Sequence, residues 1–293
     1  MPHCPTLRLR IVIVAAAVIW VAPACSGFAD ADDKLAEIRR AVREESKDGK
    51  TPKSEKNWTR EFEDDCDDDD DESLTAQIFG PIVFTTIGAP FLVPHYALED
   101  SLYNDTFFPI APYDETPGYL IIDPLSSEGM RGWAGRVTGQ YGDNFGDISH
   151  WAGRLQLDSQ ARIGFDGEWY ARREELPGGE SDQFWSGDAN LTFRFAQSEI
   201  AQFHAGLGAN WLTDDAETDF GFNFTYGVDL FPVEPWVISS SIDWGRLGHA
   251  GLFHFRGTAG LLIRNVEVFG GYDLFRIDKV NINSLIAGVR IWF

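Results

Sequence analysis

The feature that most constrains this chain is an alternation of apolar and polar residues that recurs segment after segment and runs to the last residue. In Asn281 to Phe293, the residues Leu285, Ala287, Val289, Ile291 and Phe293 share one parity. That is the period of a β-strand with one apolar face. Nine earlier segments read the same way: Arg131 to Tyr141, His150 to Asp158, Ala161 to Arg172, Gln183 to Phe195, Ile200 to Leu212, Asp219 to Phe231, Trp236 to Arg246, Leu252 to Ile263 and Val266 to Arg276. Each has close to the length a tilted strand needs to cross a hydrocarbon layer. The expected fold is all-β, an antiparallel up-and-down barrel of about ten strands, within a range of about eight to twelve.

One parity read across these segments collects Trp133, Val137, Tyr141, Trp151, Leu155, Phe165, Trp169, Trp185, Leu191, Phe193, Phe203, Leu207, Trp211, Phe220, Phe222, Phe224, Tyr226, Trp236, Ile238, Trp244, Phe253, Phe255, Leu261, Val268 and Tyr272. Leu157, Ile163, Phe195, Val228, Leu230, Ile242, Ile263, Val266 and Leu274 belong to it too, and the remaining positions read as Gly or Ala apart from Ser240, so the face is expected to carry no charge. Lipid contact explains such a face, because an Arg or Lys at mid-membrane costs roughly 2–4 kcal/mol. The opposite parity is polar and charged, with Arg136, Gln140, Arg154, Gln156, Arg162, Asp166, Glu168, Arg172, Asp188, Asn190, Arg194, Gln202, His204, Asn210, Asn223, Thr225, Asp229, Asp243, His254, Arg256, Glu267, Asp273 and Arg290.

Alternation alone does not say which face is inside. A soluble barrel binding an apolar ligand would turn the apolar face inward. Two features favour lipid outside. Aromatics stand at segment ends, with Trp133, Trp236 and Phe293 at one level and Tyr141, Trp151, Trp185, Trp211 and Trp244 at the other, a girdle pattern. The connections also alternate in expected length, short at Ser159-Gln160, Ala196 to Glu199, Pro232 to Pro235 and Arg264-Asn265, and longer at Gly142 to Ser149, Glu174 to Asp182, Thr213 to Thr218, Leu247 to Gly251 and Ile277 to Val280. Short turns are periplasmic and long loops external in such barrels. From Gly129 to Phe293 the chain therefore resembles bacterial outer-membrane β-barrel proteins as a class. The resemblance implies a lipid bilayer as surroundings, recognition of the strand ending at Phe293 by the barrel-assembly machinery, and both ends of the protein in the periplasm.

The preceding residues divide into three. Arg8 and Arg10 precede the apolar run Ile11 to Ala22, followed by small residues, so residues 1–29 read as a secretory signal peptide. Cleavage before Cys25 with lipid on that cysteine is the competing reading. Residues 30–76 read as an acidic, mostly disordered periplasmic segment, with a short amphipathic helix on Leu35, Ile38, Ala41 and Val42 and an acidic run from Asp64 to Glu72. In residues 77–128, Pro81, Pro90, Pro94, Pro109, Pro112, Pro117 and Pro124 interrupt any ladder. That stretch reads as a cap or plug at one mouth or inside the barrel, or as one or two extra strands. The barrel follows, over residues 129–293.

With 24 Lys and Arg against 46 Asp and Glu, the net charge of −22 sets nucleic acid aside. Cys4, Cys25 and Cys66 form no disulfide framework. A barrel this narrow has an interior that side chains nearly fill, and inward charges of both signs point to an ion-pair network with a structural or binding role, or a narrow porin-like pore. An enzyme acting on lipid or peptide at the outer mouth is the alternative. Omptin-like proteases are similar in size, but no Asp stands two residues before His249 or His254, no His-x-Ser arrangement occurs, and Asp158-Ser159 falls on a turn at the wrong side. No catalytic, cofactor-binding or metal-binding residue is assigned, and His204 and His254 read as satisfied lumen residues.

Overall fold

A computed structural model of the chain describes residues 33–44, 88–98, 132–198 and 200–293. The expected signal peptide, Cys25, the acidic run and most of residues 77–128 lie outside the described residues.

Ten strands form one closed barrel in which each pairs antiparallel with its sequence neighbours. They are β1 (Trp133–Asp143), β2 (Ile148–Ser159), β3 (Ile163–Glu175), β4 (Ser181–Ser198), β5 (Ala201–Thr213), β6 (Thr218–Leu230), β7 (Trp236–Leu247), β8 (Ala250–Ile263), β9 (Val266–Ile277) and β10 (Val280–Trp292). The expected segments and the observed strands match closely because period-2 alternation runs through them, shifting once at the bulge between Arg194 and Ala196 in β4. Closure pairs β1 with β10, and it leaves no exposed edge. Gly135 and Phe293 exchange backbone hydrogen bonds of 2.7 and 2.9 Å at this seam. A side chain at Gly135 would sit 2.8 Å from the Phe293 ring, so only glycine lets the terminal aromatic lie flat there.

The polar parity faces inward. Every residue named above on that parity is buried, Glu267 and Asn223 completely. The apolar parity faces outward, with Trp151 and Leu191 each 67% exposed. Two expectations about the outside need correction. The face is not free of charge, since Arg246 and Arg276 share it, each at the end of a strand. Their guanidinium groups bend onto the carbonyls of His249 and Asp278 at the rim, where a long side chain keeps its charge out of hydrocarbon. The loop-length asymmetry also disappears. Strands extend through most of the expected loops, so β7 to β8 and β9 to β10 turn over residues 248–249 and 278–279, while β6 to β7 takes residues 231–235.

Among the described residues, two helices precede the barrel. Helix α1 (Lys34–Arg43) closes the mouth ringed by the β1–β2, β3–β4, β5–β6, β7–β8 and β9–β10 turns. Leu35, Ile38 and Val42, spaced for one helical face, are fully buried there. This is the rim opposite the one where β1 starts, so α1 and the two ends of the barrel, expected together in the periplasm, lie at opposite mouths. Helix α1 fills this mouth because its apolar stripe meets an apolar inner wall, and most of residues 77–128, expected to form a cap or plug, lie outside the described residues. Of residues 77–128, the described part is a helix over residues 88–97, and it lies on the outer face of β4, β5 and β6. Phe91 meets Phe195 edge-on at 5.2 Å, and Tyr226 Oη donates to the Pro90 carbonyl at 2.8 Å. Leu92, Val93 and Tyr96 remain exposed beside the barrel's own apolar surface.

The capped mouth and the charged lumen

The mouth under α1 is apolar on its inner side. Ile148, Phe184, Leu212, Leu247, Leu252, Phe275, Ile277 and Ile282 face inward at the strand ends and pack with Leu35, Ile38 and Val42. An isolated helix of this length is marginal in water, whereas each fully buried Leu, Ile or Val contributes about 1.5–3 kcal/mol. Docking is what holds α1 in shape.

Polar contacts fix its register. Glu174 accepts from the backbone N–H of Lys34 at 2.9 Å and of Leu35 at 2.8 Å, putting a carboxylate at the positive end of the helix dipole. The Asp33 side chain accepts from Ala36 N–H. At the other end the Val42 carbonyl accepts from His249 N–H at 2.8 Å. Gly248 has φ of +56°, and a Cβ there would sit 2.4 Å from that carbonyl, so glycine is required for the turn to close on the helix.

Two arginines then tie α1 to loops of different hairpins. Arg39 forks onto Asp182, with Nη1 to Oδ1 at 3.0 Å, and its Nε lies 3.5 Å from Asp214. Arg43 forks onto Asp214 at 2.9 and 3.0 Å and reaches Asp219 at 3.0 Å and Glu217 at 2.8 Å. These donor bonds hold the Asp214 carboxyl well below the usual carboxylate range and raise the Arg43 guanidinium in turn. Bidentate, shared geometry makes such a network worth more than isolated surface pairs.

Directly beneath the cap lies a second layer. Arg172 is clamped with its guanidinium 3.9 Å from the Phe275 ring and 4.2 Å from the Tyr170 ring. Its Nη1 donates to Ser186 Oγ, while Nε and Nη2 have no partner. Across the β2–β3 ladder, His150 pairs with Arg172 in register, is 1% exposed, and leaves both ring nitrogens unpaired. Deeper, His254 Nε2 lies 2.9 Å from Asp273 and Nδ1 lies 3.5 Å from Asp243. Tyr170 Oη donates to Glu168 at 2.9 Å and sits 3.3 Å from His254 Nε2. Glu168 is forked by Arg256, with Nη2 at 2.7 Å.

The rest of the lumen is filled by further ion pairs. Arg154 Nε donates to Asp166 at 2.7 Å, Arg136 meets Asp229 at 2.8 Å, Arg194 meets Asp158 at 2.8 Å and Arg290 meets Glu267 at 2.9 Å. Trp292 Nε1 also donates to Glu267, and Phe231 packs edge-on against Trp292 near the second rim. Small cavities of about 10 Å³ each lie among Arg136, Arg154, Arg256 and Arg290 and among Asp188, Asn210, Asp243 and His254. Each has room for about one water.

Glu168, Asp243 and His254 bring ligand atoms within 4.8 Å of one another. All three are already engaged, by Arg256 and Tyr170, by His254, and by the two aspartates. The acid partners of His254 come from the flanking strands β7 and β9, in register at Asp243 and by a diagonal reach at Asp273. Neither stands two residues before His254 in the sequence. His249 lies apart, on the turn that holds α1. Both His254 nitrogens face carboxylates, and Ser186 serves Arg172 rather than a histidine.

No protein-family model and no curated protein matches the chain. Among solved structures, the outer membrane protein Ail of Yersinia pestis is similar at 12% identity and a TM-score of 0.33, over 56% of this chain and 100% of that one. An outer membrane channel from Pseudomonas putida F1 is similar at 11% identity and a TM-score of 0.32, over 59% of this chain and 100% of that one. Neisserial surface protein A follows at 11% identity and a TM-score of 0.27, over 56% and 98%. At this level the likeness carries no assignment of activity.

Proposed function

We propose that this chain is an integral outer-membrane β-barrel with a binding role, whose lumen does not conduct in the capped state. The observation that supports it best is the filling of the lumen: paired charges occupy its middle, and α1 closes one mouth. An outward belt of aromatic and aliphatic side chains favours lipid as the surroundings. A soluble barrel would expose that belt to water at high cost, far beyond the few hundred Å² of apolar patch that monomers tolerate. In this reading residues 1–29 direct export and are removed, the barrel ends lie in the periplasm, and the strand ending at Phe293 engages the assembly machinery.

Purified full-length protein in planar bilayers tests the non-conducting part. No steady conductance is expected. Ohmic channels from the intact chain would overturn it. Fractionation tests the membrane part, and recovery from the soluble periplasm without detergent would overturn that.

A further inference from the structure

We infer that the mouth occupied by α1 is a binding site for a single-chain amphiphile with a carboxylate head, and that α1 and this ligand compete for it. The inference deepens the binding role proposed above and rests on it.

Arg172 carries the argument. It is 1% exposed, and no carboxylate of the described residues pairs with it. A buried charge without compensation is costly. Its Nη1 is used by Ser186, and the two free donors, Nε and Nη2, form one edge of the guanidinium. That edge is the fork that grips a carboxylate through two parallel hydrogen bonds. The rings of Tyr170 and Phe275 fix the plane of the fork. His150, opposite on β2, adds an unpaired imidazole within the same layer. Together they offer an anion site already built and desolvated.

The walls above it decide the rest of the ligand. Phe275 and Phe184 flank Arg172 and also belong to the apolar mouth, with Ile148, Leu212, Leu252 and Ile282 continuing outward. A charged fork beneath a shaft whose walls are apolar apart from Glu174, the carboxylate that the first N–H groups of α1 occupy, matches a carboxylate on an alkyl chain. Leu35, Ile38 and Val42 fill that shaft when α1 is docked. Ligand and helix therefore exclude each other, and anything that weakens the helix strengthens the ligand.

The test uses the full chain in phosphatidylcholine nanodiscs, with carbon-13 at C1 of dodecanoate or of dodecanol as probes. The C1 resonance separates a guanidinium-bound head from one dissolved in lipid. Ile38→Asp, which unseats α1, is expected to raise dodecanoate affinity by about tenfold or more over wild type. Adding Arg172→Gln is expected to remove that gain while leaving dodecanol unchanged. If Ile38→Asp fails to assemble, the double variant Arg39→Ala, Arg43→Ala releases α1 without touching its apolar face, and the same comparison applies. Dodecanoate binding that survives Arg172→Gln, or equal binding of dodecanol and dodecanoate, overturns the inference. So does binding of inorganic phosphate at Arg172 with α1 still docked, which would mark a small-anion site. Conductance plays no part in these readings, so failure here is distinguishable from failure of the non-conducting barrel.

Discussion

Phe293 and Gly135 meet twice across the barrel seam, once through a reciprocal pair of backbone hydrogen bonds and once through the Phe293 ring lying over the bare Gly135 Cα. Trp133 adds an edge-on contact to the same ring at 5.9 Å. Deleting Phe293 removes two seam hydrogen bonds, each worth about 0.5–1.5 kcal/mol, and uncovers the start of β1. The expected outcome is a lower yield of folded barrel in the outer membrane, with a smaller loss of heat resistance in the fraction that does assemble. Comparing boiled and unboiled migration in detergent gels reads both. Wild-type yield of the truncated chain would remove this role for Phe293.

Ile38 is the middle of the three side chains that seat α1. Replacing it with Asp costs its burial and puts a carboxylate among apolar walls, a combined loss above about 3 kcal/mol. The loss is local, since no strand pairing involves α1. A nitroxide at Glu37→Cys, with the native cysteines replaced, is expected to change from restricted to fast motion in Ile38→Asp, while the gel shift of the barrel stays as in wild type. A restricted spectrum in the variant would mean that the ion pairs alone hold the helix.

Asp214 and Arg43 give the docked helix a pH dependence. The folded-state value of the Asp214 carboxyl is depressed by Arg43, so its stabilising contribution is complete above the ordinary carboxylate value of about 3.9 and is lost only as pH falls through the lowered value. The Glu37 nitroxide is therefore expected to stay restricted from neutral pH down to about 4 and to loosen below it. Added salt at neutral pH should weaken these partly exposed pairs as well. Loosening between pH 7 and 5 would show that some other group governs docking.

Glu168 and Arg256 make the opposite case, an ion pair sealed in the lumen. Removing one partner leaves the other uncompensated, at a cost of about 3–5 kcal/mol, whereas replacing both with apolar residues of similar size is near neutral. Arg256→Met alone is expected to lower the temperature at which the folded band disappears on heating. Adding Glu168→Leu is expected to restore most of it. Additive losses in the double variant would show that the pair is worth more than its desolvation.

Strand positions were legible because alternation is a local property of the chain, visible from Trp133 to Trp292 without knowledge of partners. Loop lengths were misread for the same reason. The Asp and Thr residues of Thr213 to Thr218 look like loop chemistry, yet Thr213 and Thr218 pair with one another across the barrel ladder. Arg246 and Arg276 do not stand out as outward charges in the sequence because the rest of their face is so apolar. The cap was half legible. The spacing of Leu35, Ile38 and Val42 announces a helix with one buried face but not what buries it. The missing half was present in the inward parity itself, where Ile148, Phe184, Leu212, Leu252, Phe275 and Ile282 break the polar rule together at the mouth under α1. Arg172 looked like one lumen charge among many. Only the fold shows that its carboxylate neighbours are spoken for by Arg256 and His254.

The walls around α1 come from every hairpin at that rim: Ile148 from the first, Phe184 from the second, Leu212 from the third, Leu247 and Leu252 from the fourth, and Phe275, Ile277 and Ile282 from the fifth. A chain that has laid down only its early hairpins offers the helix an incomplete ring and little apolar area to gain. The helix therefore gains its full apolar contact only when all five hairpins stand in place around it.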